Sequence, residues 1–206
     1  GNVVYNPVKS ENQPSETHEE NVIFGDLDGV SWAKDSIIGL YNQGIINGRN
    51  DKIFAPNENL TRSEFAKIVI LATGTADETA MVDFKDINTE HWAYKYIASA
   101  YHEGIIQGIS DELFGAEMPI IRQDIAVMLD RIAKQQKIET DSISLDFSDY
   151  KEISDYAAEA VGHLAYIGVI NGRDDNSFAP NDTATRAEAA VIIDRFLEFL
   201  KSRKGE

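Results

Sequence analysis

The chain has 206 residues, 43% of them hydrophobic, a formal net charge of -16 and no cysteine. That length and apolar content suffice for a packed core, while the acidity argues against a nucleic-acid partner, because phosphate binding needs a basic stripe and none is present. Without cysteine there are no disulfides and no thiolate metal sites, which leaves the redox compartment open, and no apolar run is long enough for membrane insertion.

Residues 1–23 are rich in Asn, Pro, Ser, Glu and Thr, with Pro7 and Pro14 interrupting any periodicity, and are expected to form a linker. The sequence opens at Gly1 without a methionine, so a fragment or processed product with a covalently linked cargo domain upstream of residue 1 is expected. From Phe24 onward one pattern occurs three times. Trp32, Gly44, Gly48, Phe54 and Arg62 return as Trp92, Gly104, Gly108, Phe114 and Arg122, then as Tyr156, Gly168, Gly172, Phe178 and Arg186. The intervals are twelve, four, six and eight residues in each copy. Units of about 50 residues are marginal alone, so stacking that covers each unit's apolar face predicts one cooperative body.

In the first unit Trp32, Ala33, Ile37, Leu40 and Tyr41 lie at helical spacing, and Gly44 stands where a left-handed residue ends a helix. The apolar pair Ile45 and Ile46 leads into an Asn47-Gly48 turn, Pro56 biases Ala55 away from helix, and a second helix begins at Thr61 with Phe65, Ile68, Val69 and Ala72 on its apolar face. The same order returns in the other copies, with units expected over 24–74, 84–133 and 147–200 and a linker over 134–146. The fold class is therefore all-α, three helix-loop-helix units with little or no strand.

Each second helix opens on a short motif. Thr61-Arg62-Ser63-Glu64 and Thr185-Arg186-Ala187-Glu188 fit a capping box, in which threonine and glutamate satisfy each other's backbone amides for about 1 kcal/mol. The box does not account for the arginine, since a cation at the first helical position opposes the helix dipole. The middle copy, Ile121-Arg122-Gln123-Asp124, loses the threonine and shortens the acid yet retains Arg122. Two roles for the arginine stand side by side: a salt bridge to one of many nearby acids, or, beside free helix amides, a receptor for a carboxylate or phosphate.

Together the segments Phe24-Gly25-Asp26, Trp32-Ala33, Gly44-Ile45-Ile46-Asn47-Gly48, Phe54-Ala55-Pro56-Asn57 and Thr61-Arg62-Ser63-Glu64, with their counterparts, resemble a tandem of three S-layer homology repeats over residues 24 to about 196. The resemblance implies a pseudo-threefold helical assembly with the Thr-Arg-x-Glu helices at the centre and grooves between repeats. It also implies an extracellular module that holds secondary cell-wall polymer non-covalently, often by a pyruvate ketal on N-acetylmannosamine, and that needs no cofactor. A pyruvyl carboxylate suits Arg62, Arg122 and Arg186. Gly48, Gly108 and Gly172 allow close approach of a sugar, or serve turn geometry alone. Trp32 and Trp92 offer a ring face to a pyranose, or pack in the core. The middle repeat has Gly115-Ala116 where Ala-Pro is expected and the third replaces tryptophan with Tyr156, so unequal grooves follow, the one depending on Arg122 being the least assured.

Three other functions compete. Thirty-five acidic residues allow carboxylate pairs for glycoside hydrolysis, but no spacing singles one out, and His18, His91, His102 and His163 form no metal or triad pattern. Asn47 to Asp51 and Asn171 to Asp175 are oxygen-rich turns that lack the distal glutamate of a calcium loop. Self-association in a surface lattice is compatible with the sequence.

Overall fold

The computed structural model of the chain describes residues 24–138 and 145–204. The linker expected over 1–23 lies outside the described residues, as do residues 139–144 of that expected over 134–146. Among the described residues six α-helices follow in pairs: α1 (Lys34–Asn42) and α2 (Arg62–Thr73), α3 (Tyr94–His102) and α4 (Arg122–Gln135), α5 (Asp155–Tyr166) and α6 (Arg186–Lys204). Among the described residues only isolated antiparallel bridges occur, not strands, so the fold is all-α.

Local chemistry sets the length of each outer helix. Ile37 and Leu40 bury one stripe of α1 with Ala33 just ahead of it, as Ile97 and Ala100 do for α3 with Ala93 ahead, and Ala157, Val161 and Leu164 for α5. Each stripe stops at a left-handed glycine, with φ of 72° at Gly44, 69° at Gly104 and 76° at Gly168.

The loop that follows is held by an aspartate six or seven residues ahead of the aromatic Trp32, Trp92 or Tyr156. Asp26 accepts the amides of Phe54 and Ala55 at 2.9 and 2.7 Å. Asp149 accepts those of Phe178 and Ala179 at 2.8 and 2.7 Å. Asp86 takes the amides of Phe114, Gly115 and Ala116. These bonds fix a left-handed residue after each phenylalanine, Ala55 at φ 61°, Gly115 at 79° and Ala179 at 55°. Glycine is the unstrained choice there, so the middle repeat's Gly115-Ala116 relieves the turn rather than degrading it.

The units join by a cyclic rule. The inner helix α2 packs on α3, α4 on α5, and α6 returns to α1. Just ahead of the inner helices the backbone closes a triangle, in which the Leu60 amide donates to Ala184, Ala184 to Ile120 and Ile120 to Leu60, at 3.0, 3.0 and 2.8 Å. The third unit therefore seals onto the first, and the pseudo-threefold ring has no open end.

Candidate functional site: three grooves between repeats

Each inner-helix arginine leaves its own unit and inserts into the next. Arg62 Nε donates to the Phe114 carbonyl at 3.0 Å, Arg122 Nε to Phe178 at 2.8 Å and Arg186 Nε to Phe54 at 2.9 Å. The guanidinium lies over that same phenylalanine ring, 5.0, 5.3 and 4.5 Å from the centroid for Arg62, Arg122 and Arg186. All three side chains are buried. Burial lowers each guanidinium pKa, opposed mainly by Asp124 at Arg62 and by Glu188 at Arg122. At Arg186 burial and the neighbouring Arg49 both lower it, against Glu64.

The helix amides have other employment. Arg62 and Ser63 donate their backbone N–H groups to the carbonyls of Met118 and Ala116, Arg122 and Gln123 to Asp182 and Pro180, and Arg186 and Ala187 to Glu58 and Pro56. Thr61 and Glu64 complete the expected capping box, as do Thr185 and Glu188. The expectation of free helix-end amides is therefore corrected: the next unit's loop occupies them, and any anion would meet the arginine without them.

The cyclic shift assembles the first two grooves from three units each and the third from two. The first groove, a cavity of about 240 Å³, draws Asn47, Gly48 and Arg49 from repeat one, Trp92 from repeat two and Arg186 from repeat three, with Glu64 and Lys67 on its wall. In the second, of about 410 Å³, Gly108 meets Tyr156 and Arg62, together with Asp124 and Arg131. The third is lined by Trp32, Arg173, Asp174 and Asp175. Neither Gly172 nor Arg122 is part of its wall. The structure thus brings Arg186, Trp92 and Gly48 together, places Arg62 with Gly108, and leaves Trp32 apart from the arginine of its groove.

Trp32 and Trp92 are 59% and 52% exposed, and Tyr156 is 59% exposed, so the core-packing alternative for the tryptophans is set aside. Both tryptophans precede their α-helix, outside the helical stripe that periodicity extends to them. The glycines answer first to packing. A Cβ on Gly48 would lie 2.4 Å from the Phe24 ring and 2.5 Å from the Asn50 carbonyl, and one on Gly108 2.3 Å from Ser110 and 2.7 Å from Phe84. Gly172 is looser, with its nearest neighbours at 3.2 Å.

Sequence reasoning missed the part that three residues play in the grooves. Arg49 and Arg173 sit one residue past the turn glycine, Arg49 pairing with Glu58 and Glu64 and Arg173 with Asp182. Tyr156 takes the place of a tryptophan and donates its hydroxyl to Asp124 at 2.8 Å. Burial first, and then that bond, pushes its phenol up to about 12. The signal for Arg49 and Arg173 was present, since both follow Asn-Gly in register while the middle copy has Ile109.

The sequence profile described as S-layer homology domain matches residues 23–66, 83–126 and 146–190. An amylopullulanase of Thermoanaerobacterium thermosulfurigenes is 37% identical over 82% of this chain and 9% of its own length. The exoglucanase XynX of Acetivibrio thermocellus is 35% identical over 90% of the chain and 17% of its own length. An S-layer protein of Bacillus licheniformis is 30% identical over 82% of the chain and 19% of its own. The chain thus spans less than a fifth of the length of each of these relatives. Three profile matches in register with the three structural units show that the chain belongs to the S-layer homology domain family.

Proposed function

We propose that this chain is the wall-anchoring module of a larger exported protein and that it holds the pyruvylated N-acetylmannosamine of a secondary cell-wall polymer in its inter-repeat grooves. Family membership and the S-layer relatives support the coarser statement, a cell-surface anchoring module. The finer one rests chiefly on the first groove, where the Arg186 guanidinium, the exposed Trp92 ring and the closely packed Gly48 backbone surround one sugar-sized space. A ketal carboxylate pairs with a guanidinium by charge-assisted hydrogen bonds, and an indole face suits a pyranose ring. The two glycosidase relatives match over a small part of their own length, which fits a shared anchor rather than shared catalysis.

The test is a pull-down with purified cell walls before and after chemical removal of the secondary polymer. Wild type should sediment with intact walls and stay soluble with stripped ones. Trp92→Ala should lose most binding while melting like wild type. Because Arg186 also clamps the third repeat to the first, Arg186→Lys is the informative variant there, keeping charge while losing the fork. Equal binding to stripped walls sinks the polymer reading and favours self-association, and sugar release from the walls favours an enzyme.

A further inference from the structure

The acid at the third position of each inner helix faces the arginine of the preceding repeat, and the three acids do so unequally. Glu64 Oε2 accepts the Thr61 amide at 3.0 Å, while its other oxygen accepts from Arg49 NH1 and lies 3.7 Å from Arg186 NH1. Glu188 Oε2 likewise accepts the Thr185 amide at 2.8 Å, with Oε1 3.5 Å from Arg122 NH1. Asp124 makes no cap, since Ile121 brings no hydroxyl and the aspartate is one methylene shorter. Both of its oxygens are turned to the groove: Oδ2 accepts from Arg62 NH1 at 2.7 Å and Oδ1 from the Tyr156 hydroxyl at 2.8 Å. Arg62 NH2 is held by the Gln107 carbonyl at 3.0 Å and Nε by Phe114. All three nitrogens of the Arg62 fork therefore donate within the protein; Arg186 makes the matching Nε and NH2 bonds, to Phe54 and Asn47, and differs at NH1, which stands 3.7 Å from its acid.

The surroundings reinforce the contrast. In the first groove Arg49, Lys67 and Arg186 face the single carboxylate of Glu64. In the second, Arg49 is replaced by Ile109, and beside the Arg62–Asp124 pair stands Arg131, whose NH1 donates to the Ile105 carbonyl. A visiting carboxylate would have to displace one already in place on a 6% exposed guanidinium. It would also have to tolerate Asp124 as a displaced like charge.

We propose that Asp124, steadied by Tyr156, is a built-in carboxylate that closes the second groove to anionic ligands and leaves the first groove as the anion receptor. This rests on the reading of the grooves as carboxylate receptors. It makes Asp124 the residue that decides how many anionic ends one module holds.

The test titrates 15N-labelled protein with the pyruvate ketal of methyl N-acetylmannosaminide, using the neutral ethylidene acetal as control, and follows the amide signals of Gly48 and Gly108. In wild type the ketal is expected to shift Gly48 and leave Gly108 unmoved. In Asp124→Asn, Gly108 should respond as well, to the ketal and not to the acetal, with an affinity within about tenfold of the first groove. Tyr156→Phe, which frees one aspartate oxygen and leaves the helix start intact, should give a weaker response at Gly108, and it carries the test if Asp124→Asn fails to fold. Gly108 shifting in wild type at the same concentrations as Gly48, or staying silent in both folded variants while Gly48 responds, overturns the closure and leaves the anion receptor standing. Silence at Gly48 and Gly108 in every protein overturns both.

Discussion

Tyr156 is a side chain whose chemistry departs far from its free form. Its folded pKa of about 12 stands above the ordinary 10, because burial and the bond to Asp124 favour the neutral phenol. A raised folded pKa means that the stabilisation is complete below pH 10 and is lost as pH climbs from there to about 12. Ultraviolet difference titration should therefore show Tyr156 ionising late, and Asp124→Asn should lower its pKa. Gly48 tells a complementary story about what a sequence discloses. Its Asn-Gly context spells a turn, but the demand for glycine comes from the Phe24 ring and two carbonyls that a Cβ would strike, contacts that only folding creates. Gly48→Ala should accordingly cost about 2–3 kcal/mol in chemical denaturation, and Gly172→Ala, whose neighbours stand at 3.2 Å, clearly less.

The inner helices show which elements were legible and which were not. Thr-x-x-Glu announces a capped start, and α2 and α6 begin there with the reciprocal bonds in place. The glycine-terminated outer helices were equally plain, because a left-handed residue at Gly44, Gly104 or Gly168 is a local requirement. Which groove an inner-helix residue serves was not plain. Arg122 and Asp124 are two positions apart on one helix, yet the first reaches Phe178 and the second reaches Arg62, so the consequence of the altered middle motif falls on the groove of Arg62 as well as that of Arg122. No intra-repeat spacing encodes that shift; it follows from how the ring closes. The cap itself is open to measurement. Thr61→Ala and Thr185→Ala should each cost about 1 kcal/mol in thermal melts.

At the scale of the whole molecule, two charge distributions compete for an anionic polymer. The body carries -16 overall, a long-range repulsion that any acidic glycan must cross. The first groove presents the opposite sign locally, with Arg49, Lys67 and Arg186 against Glu64. The ring makes that local sign possible, since it gathers Arg49 and Lys67 from one repeat and Arg186 from another at a single seam. Salt separates the two effects by their range. The screening length falls from about 30 Å at 0.01 M to about 8 Å at 0.15 M, which removes most of the repulsion from distant acids but leaves contacts of about 3 Å inside a half-enclosed pocket much less affected. Binding of the pyruvylated sugar, followed by calorimetry, should hold or strengthen between those two ionic strengths and weaken only in concentrated salt. A steep, continuous loss of affinity from the lowest salt upward would mean that diffuse attraction, not the pocket, supplies the binding energy, and the groove would lose its claim as the receptor.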